Sequence, residues 1–126
     1  MGNLISNKEQ IMKLLIADDN EEMRNMLKFI CEAYFDEMME CSDGEEAIEI
    51  YKLHKPDWVL MDIKMDKKDG INATKEIKEK NPEAKIIIVS QYDDDDIIRT
   101  SIQSGAVDFV SKEDLPRIED IIRNFR

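Results

Sequence analysis

Apolar and polar positions alternate along the chain in a pattern that predicts five strands and five helices. Five short segments rich in apolar residues are bounded by polar or turn residues, as is typical of buried strands in a parallel sheet. The second segment is the least marked, because its Met38-Met39 pair suits a helix equally well. The predicted strands are Lys13–Ala17, Glu37–Cys41, Trp58–Met61, Lys85–Val89 and Val107–Val110.

Each interval between these strands, and the segment after the last one, carries a helical signal. After strand 1, apolar residues recur at spacings of 3, 4, 7 and 11 from Met23, which places them on one helical face. Cap and breaker residues then set the helix ends, with Asn81-Pro82 stopping the third helix and Gly105 capping the fourth. The predicted helices are about Glu21–Tyr34 (with Met23, Met26, Leu27, Ile30 and Tyr34 on its apolar face), a second that begins at Ser42-Asp43-Gly44-Glu45, Ile71–Glu79, a fourth from the acidic run 93–96 to Ser104, and Asp114–Asn124.

This alternation predicts the α/β class with a (βα)5 architecture. Because strand–helix–strand crossovers are right-handed, the strands form one parallel sheet with helices on both faces. The common doubly wound order for five strands is 2-1-3-4-5, and its switch point lies between strands 1 and 3. The sequence contains no internal repeat and no linker, so we expect a single domain.

Five polar residues follow the apolar runs and carry the candidate chemistry. Ligands of an open α/β sheet bind outside the carboxyl ends of its strands. The residues at those ends are Asp18, Asp19, Asp62, Ser90 and Lys112. Since strands 1 and 3 are neighbours in the predicted sheet, the three carboxylates should lie beside one another. Such a set can hold a divalent cation and a phosphoryl group.

Charge balance favours a metal at this edge. Three packed carboxylates repel, and without compensation at least one would keep its proton at neutral pH. A Mg²⁺ ion prefers one or two carboxylates together with waters and a substrate phosphate. With Lys112, the metal would bring the formal charge of the three acids to zero. Phosphoryl transfer then demands mostly positioning and charge neutralisation, to which the Ser90 hydroxyl could contribute a hydrogen bond.

Composition narrows the function further. The 126 residues are 42% hydrophobic and carry a net charge of −11, and affinity for a phosphate backbone comes mainly from Lys and Arg. We therefore expect no direct contact with nucleic acid. The two cysteines form no CxxC pair, and no apolar run exceeds four residues, which predicts reduced thiols, a cytoplasmic protein and no membrane contact. Residues 1–11 are expected to be a flexible leader and 12–126 the folded domain.

From about Met12 to Phe125, the chain resembles the receiver domain of two-component response regulators, a CheY-like member of the flavodoxin-like folds. Several motifs occur in the correct order and spacing, and the last of them ends at the candidate lysine. The matching segments are Ile16–Asn20, Met61–Met65 followed by Asp69-Gly70, Ile88–Ser90 and Gly105–Lys112.

The resemblance implies a phosphorylation-dependent signalling switch rather than an enzyme acting on other substrates. A sensor histidine kinase or phosphotransfer protein would supply the phosphoryl group, and the face formed by helix 4, strand 5 and helix 5 would change shape. A phosphorylation-dependent homodimer through that face, and DNA contact through a further C-terminal effector domain, are implied in the same way. The implied roles are phosphoacceptor for Asp62, Mg²⁺ (or Mn²⁺) ligands for Asp18, Asp19, Asp62 and the Lys64 main-chain carbonyl, switch hydroxyl for Ser90, phosphate contact for Lys112 and switch aromatic for Phe109.

Four residues depart from the family's usual pattern. Asp66 stands where proline is usual, which removes a φ constraint from the loop and adds a charge. Glu113 also stands where proline is frequent, so we expect no cis peptide bond there. Gln91 stands where a small residue is usual, and with Tyr92 it is expected to narrow access to the phosphate. The Ser-Gln-Tyr-Asp segment before helix 4 resembles receivers of the NarL/LuxR type.

Three alternatives stay open at this point. A haloacid-dehalogenase-type phosphatase also uses a strand-end Asp and Mg²⁺, but it needs a second Asp two residues after the nucleophile, where this chain has Lys64. A flavodoxin-like cofactor binder would need a Ser-, Thr- or Gly-rich loop after strand 1, whereas the acids of Asp18–Glu22 would repel a phosphate in the absence of a metal. The third is a degenerate receiver that docks without being phosphorylated.

Overall fold

The computed structural model describes residues 11–125, in which five strands alternate with five helices. The predicted leader therefore lies, apart from Ile11, outside the described residues. The strands are β1 (Lys13–Ala17), β2 (Glu37–Cys41), β3 (Trp58–Met61), β4 (Ile86–Ser90) and β5 (Asp108–Ser111). The helices are α1 (Glu21–Cys31), α2 (Gly44–His54), α3 (Gly70–Lys80), α4 (Asp95–Gln103) and α5 (Arg117–Asn124).

The five strands form one parallel sheet in the order β2-β1-β3-β4-β5, which confirms the predicted topology. The register brings the carboxyl ends of neighbouring strands level. Ala17 at the end of β1 pairs with Cys41 on one side and with Met61 on the other. Residues that follow these positions therefore emerge at the same edge of the sheet.

The sheet lies between two apolar layers because successive side chains of a strand point to opposite faces. On one face, Leu15 of β1 packs in a cluster with buried residues of α2 and α3, including Tyr51 and Ile77. On the other face, Leu14 packs in a cluster that includes Ile118 of α5 and buried residues of α1. All four residues of β3 and all five of β4 are buried, as expected for inner strands of a two-sided α/β sheet.

Side-chain caps begin four of the helices, which agrees with the acid- and amide-rich turns in the sequence. In each case the carbonyl or carboxylate oxygen of the cap residue accepts a hydrogen bond from the backbone N–H three residues later. The four cap residues are Asn20, Asp43, Asp69 and Asp94. The fourth helix ends as predicted, with Gly105 in the left-handed region at a φ of 110°.

The first and last helices are shorter than the sequence predicts. The predicted end of α1 at Tyr34 is wrong, because the chain leaves the helix after Cys31 and the Tyr34 N–H donates to the Cys31 carbonyl in a turn (2.9 Å). The predicted start of α5 at Asp114 is also wrong. Asp114 instead begins a turn in which its carbonyl accepts from the Arg117 N–H (3.1 Å), and α5 begins only at Arg117.

Two smaller differences concern single positions. Met26 was predicted on the inner face of α1, but half of its surface is exposed, so the apolar face is narrower than its spacing suggests. The strands β4 and β5 each begin and end one residue later than predicted, so that Ser90 and Ser111 are their last residues and pair with each other.

Both cysteines, Cys31 and Cys41, are buried and unbonded, which confirms the prediction of free thiols. Burial raises the pKa of each thiol to about 12, so both remain protonated and weakly reactive at neutral pH. Across residues 11–125, none of the helices combines the length and the apolar character that crossing a bilayer requires.

Candidate functional site

The three candidate carboxylates meet at the carboxyl edge of the sheet. Oxygen atoms of Asp18, Asp19 and Asp62, one from each, all lie within 4.8 Å of one another. The backbone fixes two of them, because the Asp18 N–H donates to the Cys41 carbonyl (3.0 Å) and the Asp62 N–H donates to the Ala17 carbonyl (2.8 Å). These bonds continue the parallel ladders past the strand ends, so the sheet itself sets the spacing of the acids.

Lys112 reaches the same cluster from the end of β5. Its N–H donates to the Ser90 carbonyl (2.9 Å), which anchors the residue beside the end of β4. Its ammonium nitrogen lies 3.0 Å from Oδ2 of Asp18 and 3.4 Å from Oδ1 of Asp62. With a side chain only 14% exposed, Lys112 supplies a positive charge that water screens weakly.

Asp62 is the carboxyl group whose protonation the site changes most clearly. Burial, followed by the negative charge of Asp18, raises the pKa of Asp62 to about 6. Lys112 and the Ile63 N–H, which donates to Oδ1 of Asp62 (2.8 Å), oppose the increase. Without added positive charge, the site therefore disfavours the ionised form of Asp62 relative to an ordinary aspartate, and the carboxyl group takes up its proton at about pH 6 rather than about pH 4.

Lys112 responds in the opposite direction. Burial works against its ammonium charge, but the contacts with Asp18 and Asp62 outweigh burial and raise the pKa of Lys112. Lys112 therefore stays charged at neutral pH. The three acids and this lysine carry a formal charge of −2 when all are ionised, which a divalent cation would neutralise.

The donor set fits a hard divalent cation. Oδ1 of Asp18 accepts a hydrogen bond from the Asn20 N–H (2.9 Å), but the buried Oδ2 has no hydrogen-bond partner of good geometry among the described residues. The Lys112 ammonium nitrogen near Oδ2 provides charge without a well-directed hydrogen bond. Asp19 is exposed at the mouth of the site. Carboxylate oxygens are the hard ligands that Mg²⁺ takes in proteins, with waters and phosphate oxygens completing its coordination, so this cluster suits the ion.

Ser90 lies at the end of β4 and is fully buried. Its hydroxyl oxygen accepts a hydrogen bond from the Tyr92 N–H (2.9 Å), which closes a tight turn after the strand. The hydroxyl proton remains available for donation to another acceptor. The structure thus places the predicted switch hydroxyl at the end of β4, on the residue whose carbonyl accepts from the Lys112 N–H.

Phe109, the predicted switch aromatic, lies in the middle of β5. Its ring is 5% exposed and belongs to the apolar cluster on the α2–α3 face of the sheet. Arg117 of α5 donates a hydrogen bond to the Phe109 carbonyl (2.9 Å). This structure therefore shows Phe109 in the inward position.

An open cavity of about 560 Å³ leads to Asp62. Its walls include Met23 and Met26 of α1, and Gln91 lies on the opposite side. The Lys64 ammonium lies 4.9 Å from the centre of the Tyr92 ring at the same cavity. The sequence predicts a role for Lys64 only through its main-chain carbonyl. The contact of its side chain with Tyr92 could not be read from spacing, because the two residues follow different strands.

Arg24 of α1 is a positioning residue that the sequence reasoning missed. Its guanidinium donates to the Asp18 carbonyl (2.8 Å) and pairs with Glu40 of β2 (2.9 Å). It therefore connects α1 and the edge strand β2 to the backbone of Asp18. The available signal was a basic residue on a helix that begins right after the acids, which alone is too common to be informative.

The fold and the acidic edge together define a CheY-like α/β domain with a pocket suited to a divalent cation beside a buried carboxylate. The chain belongs to the response regulator receiver domain family, whose pattern matches residues 14–123. This assignment removes the phosphatase and cofactor-binding alternatives.

Individual relatives agree with this assignment. The chain is 44% identical to the chemotaxis protein CheY of Thermotoga maritima over 101 residues, which are 79% of this chain and 84% of that protein. It is 40% identical to CheY of Halobacterium salinarum over 100 residues, covering 79% and 83% of the two chains. A solved CheX–CheY–BeF₃–Mg²⁺ complex from Borrelia burgdorferi is similar at a TM-score of 0.83 and 30% identity, over 88% of this chain and 86% of that chain.

Proposed function

We propose that this receiver domain is a phosphorylation-dependent switch in which Asp62 accepts a phosphoryl group. The observation that carries the proposal is the position of the Asp62 carboxylate, which shares the Lys112 ammonium with Asp18 and lines an open cavity. The related CheX–CheY–BeF₃–Mg²⁺ complex contains Mg²⁺, which supports a magnesium site in this domain.

The proposed reaction is an in-line transfer from a phosphohistidine of a sensor histidine kinase or a phosphotransfer protein. An Asp62 carboxylate oxygen attacks phosphorus while the P–N bond breaks, and the released imidazole nitrogen keeps the electron pair and takes up a proton. Asp18, Asp19, Asp62 and the Lys64 main-chain carbonyl would hold Mg²⁺, or Mn²⁺. When bound, the ion would neutralise charge on the acids and on the phosphoryl oxygens.

The protein's own residues complete the switch. Phosphorylation converts Asp62 from a carboxylate with a formal charge of −1 to an acyl phosphate with a formal charge of −2, and Lys112 supplies the charge that pairs with the new oxygens. Ser90 moves toward the phosphate and donates its free hydroxyl proton to a phosphoryl oxygen, and Phe109 turns inward, to the buried position that this structure shows. The face formed by α4, β5 and α5 then favours a second shape, which is a two-state equilibrium biased by a local charge change.

The partners and setting follow from this proposal. The domain acts in the cytoplasm, catalyses at most its own phosphorylation and dephosphorylation, and controls an output partner or domain. A phosphorylation-dependent homodimer through the α4–β5–α5 face, DNA contact through an effector domain and the NarL/LuxR type stay predictions.

Intact mass after incubation with acetyl phosphate and Mg²⁺ tests the proposal. We expect a gain of one phosphoryl group, which is lost when Mg²⁺ is chelated or in the Asp62→Asn variant. The Asp66→Asn variant is the matched control, because it removes a carboxylate four residues away and should still be labelled. If the wild type gains no mass and binds no beryllofluoride, the domain is a docking module that works without phosphate.

A further inference from the structure

The loop that joins β3 to α3, residues 62–69, is attached at both ends to the start of a helix. We call it the β3–α3 loop. Near the beginning of the loop, the Ile63 carbonyl accepts a hydrogen bond from the Gly70 N–H at the start of α3 (2.8 Å). From the neighbouring β2–α2 turn, the Gly44 N–H at the start of α2 donates to the Lys68 carbonyl (3.0 Å). Both contacts come from a glycine that follows a capping aspartate.

Gly44 approaches the β3–α3 loop too closely for any side chain. A Cβ atom added at Gly44 would lie 2.2 Å from the Lys68 carbonyl oxygen and 2.9 Å from its carbonyl carbon. These neighbours are backbone atoms, so a rotamer change cannot relieve the overlap. Beside this contact, Asp43 and Asp66 form an isolated parallel bridge, and the Lys67 ammonium lies 4.0 Å from the Asp43 carboxylate. The β2–α2 turn therefore fixes the path of the loop from outside.

The loop is short, so a displacement at Lys68 reaches the site. Within it, Lys67 has a φ of 67°, and the Lys68 N–H donates to the Asp66 carbonyl (2.7 Å), which makes a tight turn. That turn leaves only Ile63, Lys64 and Met65 between itself and Asp62. Moving the Lys68 carbonyl would therefore shift the backbone that carries the Lys64 carbonyl.

We infer that Gly44 is a positioning residue for the cation site, acting through the Lys68 carbonyl on the β3–α3 loop. This inference rests on the proposed function, because that function assigns the Lys64 carbonyl to the cation. The role of Gly44 is to let the β2–α2 turn pack directly on the loop and hold the main-chain ligand at the distance the ion needs.

If Gly44 affected only its own helix, helix propensity would predict that replacing it with alanine does not weaken the protein. Gly44 occupies the first turn of α2 without a left-handed φ, so alanine would suit its backbone conformation. Alanine in a helix is favoured over glycine. A Gly44→Ala change that acted only on the helix would therefore leave cation binding unchanged and would not destabilise the protein.

Calorimetric titration of the metal-free protein with Mg²⁺ tests the inference. We expect Gly44→Ala to raise the Kd for Mg²⁺ roughly tenfold, the lower end of the range seen when a residue that supports a metal ligand is changed. Gly105→Ala is the matched control. Its left-handed φ of 110° and its contact with the Lys78 side chain make alanine unfavourable there, but at a turn that is not part of the cation site. It should lose stability and keep its Mg²⁺ affinity.

The outcomes distinguish the proposed function of the domain from the positioning role of Gly44. If the wild type binds no Mg²⁺, the proposed function fails. If the wild type binds Mg²⁺ and Gly44→Ala binds it equally well, or Gly105→Ala loses as much affinity, the positioning role of Gly44 is overturned.

A second measurement on the wild type covers the case in which Gly44→Ala does not fold. Coupling between two sites is reciprocal, so Mg²⁺ should slow hydrogen exchange of the Gly44 amide in the bond to Lys68. Exchange at Gly44 that stays constant while Mg²⁺ saturates the site would contradict the inference.

Discussion

At the scale of single residues, the neighbours of Asp62 set the pKa of its carboxyl group. Burial and Asp18 raise its pKa to about 6, whereas Lys112 favours its charge. The raised value means that the folded, metal-free protein binds the Asp62 proton more tightly than the unfolded chain does. Between about pH 4 and pH 6 the folded state therefore carries more protons, and its stability falls as the pH rises through this window.

This sign gives a prediction for Asp62→Asn in the absence of metal. The variant should be more stable than the wild type at pH 7, by about 1–3 kcal/mol, because it removes a buried charge that repels Asp18. The difference should vanish near pH 4, where both side chains are neutral. Urea unfolding at both pH values in a chelator measures it. A variant that is less stable than the wild type at pH 7 would contradict the pKa assignment.

Lys112 should couple phosphorylation to the rest of the domain. We expect Lys112→Ala to retain some phosphoryl uptake, because the carboxylates remain, but to lose the response of the α4–β5–α5 face. Amide chemical shifts of β5 and α4 with and without beryllofluoride measure this response. The control is Lys28→Ala, which removes a lysine that pairs with Glu40 of β2. Shift changes equal to those of the wild type in Lys112→Ala would rule out the coupling role.

The residue scale also shows where sequence reasoning ends. The positions of Asp18, Asp62 and Lys112 could be predicted because strand ends in a parallel sheet meet at one edge. The contacts of Arg24 with the Asp18 carbonyl and of Lys64 with Tyr92 could not, since they depend on how side chains cross between elements. Phosphoryl transfer to Asp62 remains a prediction for experiment.

At the scale of elements, capping explains why the helices begin where they do. Asp94 accepts from the Ile97 N–H (3.0 Å) and starts α4 at the beginning of the output face. The run 93–96 was interpreted from sequence only as a helix start, and the structure agrees. The predicted end of α1 and the predicted start of α5 are wrong, because Tyr34 and Arg117 form turn hydrogen bonds although the apolar spacing there is helical.

Removing the cap of α4 should cost stability by a definite amount. We expect Asp94→Ala to lower the free energy of unfolding by about 1 kcal/mol, because it leaves a helix-terminal N–H unpaired. Asp94→Asn keeps an acceptor at the same place and should lose much less. Thermal or urea unfolding of the two variants makes the comparison, and equal losses would mean that charge rather than the hydrogen bond stabilises the helix start.

At the scale of the whole molecule, the sheet order was predictable and the site's electrostatics follow from it. Order β2-β1-β3-β4-β5 puts the ends of β1 and β3 side by side, which brings acids together in a chain that already carries a net charge of −11. The folded molecule therefore concentrates negative charge at this edge, and a bound cation would reduce the repulsion. Because the cation would bind only the folded state, its binding should increase the free energy of unfolding.

Mg²⁺ should accordingly raise the melting temperature of the wild type. At 100 times the Kd, one site adds about 2.7 kcal/mol, which corresponds to several degrees for a domain of this size. Asp19→Asn should lose most of this gain, because it removes an exposed ligand without disturbing the core. Asp93→Asn, which removes the same charge from the run before α4, should keep the gain. If both variants lose it equally, the effect is general charge screening.

Reduction with borohydride after incubation with acetyl phosphate and Mg²⁺ shows directly which residue accepts the phosphoryl group. Hydride converts an aspartyl phosphate to homoserine with release of phosphate, so peptide mapping identifies the acceptor itself. We predict homoserine at position 62, dependent on Mg²⁺ and on the phosphodonor. Homoserine at position 18 or 19 instead, or at no position in a protein that binds Mg²⁺, would contradict the assignment of Asp62 as the phosphoacceptor.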